Sequence, residues 1–132
     1  MSGIVVDTSA LVAIMTNEPA RQWLTDQLSQ ASERFISAPT AVELGIVLEA
    51  RRTSSTGIAH RLLRDARITI RPFDSALTER ALEAWRRFGK GRHRAALNLG
   101  DCFTYALADA TGLPILCTGD DFRHTDLHVL AP

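Results

Sequence analysis

Lysine, cysteine and net charge are all scarce in this 132-residue sequence. The only two cysteines, Cys102 and Cys117, have no C-x-x-C partner. That excludes a disulfide scaffold and predicts two reduced, buried thiols. The four histidines give no zinc motif. His60, His124 and His128 read as surface or edge residues rather than ligands. Fifteen basic residues offset fifteen acidic ones, for a formal net charge of zero. A uniformly polybasic binder and an acidic tail protein are thereby excluded. No apolar run approaches the ~18–20 residues that span a bilayer. The N-terminal stretch Met1-Ser2-Gly3-Ile4 lacks the basic and long apolar regions of a secretory signal, so a cytoplasmic protein without a membrane partner is expected. There is no repeat, low-complexity tract or long linker.

What is present is close to an average globular composition, with 45% hydrophobic and 23% charged residues. A disordered chain does not look like this. The length suits one core, so residues 1–132 are expected to form a single domain. Of the 15 cations, 14 are arginine and only Lys90 is lysine. Arginine forks suit phosphate and carboxylate, but a codon bias gives the same excess, which alone decides nothing.

Short apolar runs alternate with helical patterns. Ile4-Val5-Val6 reads as a fully buried strand, and residues 35–38, 68–70, 114–117 and 127–130 read as further strands, the last at an edge. Helices are expected over residues 9–15, 20–31, 39–52, 58–66, 75–88 and 99–110, with Asp74 or Ser75 and then Asn98 as caps. Residues 53–57 read as a polar loop. This alternation predicts an α/β fold with a central, mainly parallel sheet of four to five strands and helices on both faces. In such sheets the working site lies outside the carboxyl ends of the strands, at the topological switch point.

That rule selects carboxylates. Asp7 directly follows the first strand, and Asp120 and Asp121 follow the fourth. Glu43 and Asp101 lie in the first turns of helices that begin at the same rim. Each has an ordinary structural explanation. Thr40-Ala41-Val42-Glu43 has the form of a capping box, and Asn98-Leu99-Gly100-Asp101 resembles one. Asp7-Thr8-Ser9 and Gly119-Asp120-Asp121 suit polar turns. None of these explains why all fall at one edge. Clustered carboxylates repel unless a cation offsets them, and an oxygen-only donor set favours Mg²⁺ or Mn²⁺ over zinc.

The cations are also segregated. Arg86, Arg87, Lys90, Arg92 and Arg94 fall within nine residues, beside His93, and lead into the helix that carries Asp101. Gly89 and Gly91 predict a mobile loop. A solvated helix end is the plain reading, and a phosphate-gripping arm is the functional one. Phe88 and Trp85 are candidates for base stacking, although Trp85 reads better as core.

Taken together, these segments resemble PIN-domain nucleases, and more closely the VapC toxins of toxin–antitoxin pairs. The matching stretches are Ile4-Val5-Val6-Asp7-Thr8-Ser9-Ala10, the helix around Glu43, Gly89-Lys90-Gly91-Arg92-His93, Asn98-Leu99-Gly100-Asp101-Cys102-Phe103, and Cys117-Thr118-Gly119-Asp120-Asp121-Phe122. The resemblance implies a PIN-like α/β/α sandwich and a homodimer. It implies a Mg²⁺- or Mn²⁺-dependent endoribonuclease neutralised by a cognate VapB-type antitoxin, in a heterotetramer or larger complex. Asp7, Glu43 and Asp101 match the family's acidic residues. The fourth place falls to Asp120 or Asp121, and position after the Thr118-Gly119 turn favours Asp120. Thr8 or Ser9 matches the hydroxyl that steadies the first Asp. Lys90, Arg92, Arg94 and Arg86 are expected to hold RNA phosphates.

Rival readings differ in specific residues. Phosphatase chemistry of the haloacid dehalogenase type needs D-x-D, but the second place here is Ser9. A receiver domain needs a lysine after the last strand, but Lys90 precedes a helix. A catalytically inactive PIN-like module that binds RNA or protein, and a metal-dependent DNA nuclease, are the remaining alternatives.

Overall fold

A computed structural model describes residues 3–51 and 55–132. The end of the third expected helix and the start of the loop expected at 53–57 lie outside the described residues. The elements run β1 (Ile4–Val6), α1 (Thr8–Met15), α2 (Arg21–Gln30), β2 (Arg34–Ser37), α3 (Ala38–Glu49), α4 (Ile58–Asp65), β3 (Thr69–Arg71), α5 (Ser75–Phe88), α6 (Leu99–Thr111), β4 (Ile115–Leu116) and β5 (Val129–Leu130). A 3₁₀ turn at Asp121–His124, which the sequence pattern does not predict, lies between the last two strands.

All four strand pairings are parallel, in the order β3-β2-β1-β4-β5. The expected α/β sandwich is therefore present, with five strands. Parallel neighbours require long crossovers, and helices supply most of them. β1 sits at the centre because both of its faces are apolar. Ile4 and Val6 pack with α1–α4 on one side, while Val5 packs with α5 and α6 on the other. The period-2 alternation of a strand delivers its side chains to two separate cores. Phe122, on the 3₁₀ turn, is 2% exposed and closes the α5/α6 core. Burying such a side chain stabilises the fold by about 1.5–3 kcal/mol.

The chain leaves β1 toward β2 and β3, then returns to the other side of β1 for β4 and β5. The switch point therefore lies between β1 and β4. Their ends are joined by a bond from Asp7 N to Leu116 O (3.0 Å) and one from Thr118 N to Ser9 Oγ (3.1 Å).

Caps fix where the helices at this rim begin. Ser37, not Thr40, caps α3: its hydroxyl accepts from Thr40 N (3.2 Å). Pro39 is tolerated in the first turn, where its missing N–H has no intrahelical partner to lose. The capping box expected at Thr40–Glu43 therefore does not form. Asn98 does cap α6 in a reciprocal box with Asp101. At the far end of α6, Gly112 adopts φ 72°, the left-handed conformation that terminates a helix most easily without a Cβ.

Candidate carboxylate site at the switch point

Asp7 caps α1 and is 6% exposed. Its Oδ2 accepts from Ser9 N (3.0 Å), and its Oδ1 accepts from Thr104 Oγ1 (2.6 Å). The hydroxyl on Asp7 is thus supplied from α6, not by Thr8 or Ser9. Thr8 instead donates to Glu43 Oε1 (2.7 Å), and Ser9 receives the Thr118 N–H. No motif in the sequence points to Thr104. Its one signal is its position three residues after Asp101, which places both on one face of a helix.

With Thr40 inside α3, Glu43 has no capping duty and lies against the start of α6. A Cβ built on Gly100 would sit 2.9 Å from Glu43 Cδ, inside its van der Waals contact. A Cβ at this position would push the Glu43 carboxylate away from the start of α6. Glu43 therefore abuts Gly100, the residue preceding Asp101, although the two are 57 positions apart.

Asp101 uses Oδ2 to accept from Asn98 N (3.0 Å). Its carboxyl is pushed up from an ordinary value of 3.8 to about 7. Burial is the main cause. The Asn98 backbone bond opposes the rise, while the negative charges of Asp7 and Asp121 and a hydrogen bond with Asp121 add to it. Asp7, Asp101 and Asp121 thus share one electrostatic environment. Asp120 faces elsewhere: its side chain is 83% exposed and pairs with Arg123 (3.6 Å). The geometry favours Asp121 for the fourth acidic place, against the preference for Asp120 drawn from the turn.

Among the described residues, no three His, Cys, Asp or Glu side chains form a ready-made metal cage. Mg²⁺ does not need a closed cage, since it keeps several waters and takes one or two carboxylates. The carboxylates Asp7, Asp101 and Asp121 offer oxygen donors, and Asp101 carries an excess proton affinity that a cation would offset. The donor set fits a hard divalent ion. Among the described residues no His/Cys set suited to zinc gathers here. His124 and His128, though four apart, flank the end of the 3₁₀ turn and share no helix face, and both are exposed. Cys102 and Cys117 are buried free thiols, pushed up to about 11 and about 12 chiefly by burial.

The basic segment is more ordered than its glycines predict. Bonds from Lys90 N to Leu97 O (3.0 Å) and from Leu97 N to Phe88 O (2.9 Å) close residues 88–97 into a ring. Arg86 pairs with Glu83 (3.4 Å) and Arg87 with Asp126 (3.3 Å), both in the open. The Arg92 guanidinium lies 4.3 Å from the centre of the Trp85 ring. Trp85 is 43% exposed and Phe88 is 8% exposed, which reverses the core assignment expected for Trp85. Lys90 and Arg94 are exposed and pair with no carboxylate among the described residues.

The chain as a whole is similar to known proteins. The PIN domain family model matches residues 4–127. Ribonuclease VapC of Mycolicibacterium smegmatis is 43% identical over 125 residues, covering 94% of this chain and 97% of that protein. Ribonuclease VapC42 of Mycobacterium tuberculosis is 42% identical over 126 residues, covering 94% and 96%. Among solved structures, the sarcin–ricin-loop-cleaving toxin VapC20 of M. tuberculosis aligns with a TM-score of 0.71 at 18% identity, covering 98% of this chain and 99% of that one. VapBC2 from Rickettsia felis, bound to a promoter DNA fragment, aligns with a TM-score of 0.73 at 15% identity, with 98% of both chains covered. These two likenesses concern the fold.

Proposed function

Because this chain belongs to the PIN domain family, among its VapC ribonucleases, we propose that it is the toxin of a type II toxin–antitoxin pair and hydrolyses RNA phosphodiester bonds with Mg²⁺ or Mn²⁺. Residues 1–132 act as a single PIN domain. The observation that carries the reading is the buried Asp7 carboxylate at the switch point of a parallel sheet, beside a half-buried Asp101 whose carboxyl is raised chiefly by burial and further by the charges of Asp7 and Asp121.

Asp7, Asp101 and Asp121 would hold the ion. When bound, it supplies an acidified water and stabilises charge developing on the phosphoryl oxygens. The protein's own groups do the rest. Thr8 holds Glu43 by a 2.7 Å bond, aiming a carboxylate that accepts a proton from the attacking water. Ser9 and Asn98 N–H groups fix Asp7 and Asp101 in place before substrate arrives. Lys90 and Arg94, with Arg92 and Arg86 on the same segment, hold flanking phosphates, which adds affinity but little sequence selection. The substrate is single-stranded or looped RNA, because the bases of an A-form duplex are not open to a compact site.

The solved neighbours include VapBC assemblies, which supports an antitoxin as partner; a homodimeric toxin within a heterotetramer or larger complex is part of the same proposal. Val42, Ile46, Leu82, Trp85 and Leu99 are exposed at 61%, 66%, 42%, 43% and 73%. Such apolar exposure suits a surface covered in an assembly. No helix among the described residues is long and apolar enough to cross a membrane.

The test is cleavage of RNA by the purified chain. Cutting should require Mg²⁺ or Mn²⁺, stop with EDTA, and be lost in Asp7→Ala and Asp101→Ala. Unchanged cutting by either variant sinks the proposal. RNA binding without cutting in saturating metal assigns the chain to the inactive-module reading instead.

A further inference from the structure

Behind Asp7 runs a line of buried hydroxyls. Ser37, Thr40 and Thr104 are 1%, 0% and 0% exposed. They come from the end of β2, the first turn of α3 and the second turn of α6. Ser37 Oγ and Thr40 Oγ1 are 2.6 Å apart, Thr40 Oγ1 and Thr104 Oγ1 are 3.4 Å apart, and Thr104 Oγ1 stands 2.6 Å from Asp7 Oδ1.

Chemistry fixes the direction of these bonds. An ionised carboxylate only accepts, so Thr104 uses its one proton on Asp7. At 3.4 Å the Thr40–Thr104 contact is long for a hydroxyl pair, and a bond there can run only from Thr40 to Thr104. Thr40 has no second proton, so it accepts from Ser37. Ser37 in turn receives the Thr40 backbone N–H (3.2 Å). Each hydroxyl donates once, and every donor points toward Asp7. Among the described residues no buried side-chain nitrogen or oxygen lacks a partner. Aligned donors in a low-dielectric interior polarise one another.

We propose that Thr104, backed by Thr40 and Ser37, is the positioning residue that sets the Asp7 carboxylate for a divalent ion; this rests on the metal-dependent reading above. Asp7 is held by one donor on each oxygen, from two different elements: Ser9 N–H on Oδ2 and Thr104 on Oδ1. Two such bonds fix the rotation of the carboxylate about its Cβ–Cγ bond. One lone pair on each oxygen stays free for the ion. Groups in this relation to a ligand orient it and raise its affinity for metal.

Titration calorimetry of Mn²⁺ into the full chain, free of antitoxin, tests this, with thermal melting recorded for each variant. Asp7→Ala should abolish binding. Thr104→Val keeps the side-chain shape but removes the donor, and should weaken the Kd by about 10–100-fold. Thr104→Ser restores the donor and should return the Kd to near the wild-type value. A Thr104→Val Kd equal to wild type, with Asp7→Ala inactive in binding, overturns the positioning role. Unchanged binding by Asp7→Ala instead overturns the metal reading on which it rests. If Thr104→Val does not fold, Thr40→Val decides: it spares the bond to Asp7 but removes the polarising donor. A several-fold weaker Kd supports the chain of donors, and an unchanged one refutes it.

Discussion

Gly100→Ala should disable the site through a single methyl group. The added Cβ would lie 2.9 Å from Glu43 Cδ. Carbon atoms in ordinary contact are about 3.5–4.0 Å apart, so the carboxyl must retreat by roughly 0.6–1.1 Å. That movement stretches or breaks the 2.7 Å bond from Thr8 that aims Glu43. A misplacement of about 1 Å in a positioned group can cost about 100-fold in rate. RNA cleavage by Gly100→Ala should therefore fall by about 10–100-fold at saturating metal. Stability should change little, because alanine in a helix is favoured over glycine by about 0.5–1 kcal/mol, which offsets part of the crowding. The discriminating assay is a double-mutant cycle with Glu43→Ala. Truncating Glu43 opens the space, so Gly100→Ala should have no further effect in that background. Full cleavage by Gly100→Ala alone refutes the argument. An equal loss with and without Glu43 refutes the assignment of the effect to Glu43.

The remaining expectations concern charge. Asp101 is raised from 3.8 to about 7 on folding, so between those values the folded chain binds more protons than the unfolded one. Its contribution is therefore fully present below about pH 3.8 and is lost as pH rises toward 7. Melting temperature in EDTA should decline over the upper part of that window, and Asp101→Asn, whose amide oxygen still accepts from Asn98 N–H, should flatten the decline. Parallel profiles for the two proteins would contradict the stated cause. Asp121→Asn should lower RNA cleavage by about tenfold or more, while Asp120→Asn, which loses only an exposed pair with Arg123, should stay near wild type; the reverse ranking would return the fourth acidic place to Asp120. Replacing Lys90 and Arg94 together by alanine should reduce the salt slope of RNA binding by about 0.7 for each phosphate no longer neutralised, and an unaltered slope would leave that segment a solvated surface.

The fold was legible because its signals are local. Ile4-Val5-Val6 is apolar on both faces, which a central parallel strand requires, and the structure puts it between two cores. Asn98 and Asp101 stand three apart and cap α6 as their spacing implies. The site was legible in part for the same reason: an acid at the end of a strand or near the start of the next helix lies at the carboxyl rim, although α3 begins at Ala38 and so puts Glu43 in its second turn rather than its first. Failures came where two local solutions competed. Ser37 and Thr40 both suit a cap, and the helix takes the earlier one, which releases Glu43 to meet Thr8. Trp85 has the size of a core residue, but Phe88 occupies the core and Trp85 faces outward under Arg92.

By itself, then, the sequence determined the order of strands and helices, the rim on which the acids gather, and the identity of Asp7, Glu43 and Asp101 as its candidates. Composition and spacing act over a few residues, and that is enough to fix periodicity and caps. Only the tertiary structure decided which groups touch. It set Thr104 against Asp7 across 97 positions, Glu43 against the α-carbon of Gly100, and Asp121 rather than Asp120 within reach of Asp101. Such pairings depend on how α3 and α6 pack beside the ends of β1 and β4, and no short stretch of sequence holds that packing. The zero net charge was likewise a sum over segregated groups: the acids stand at the switch point, while Lys90 and Arg94 lie on a ring that opens directly into the helix bearing Asp101.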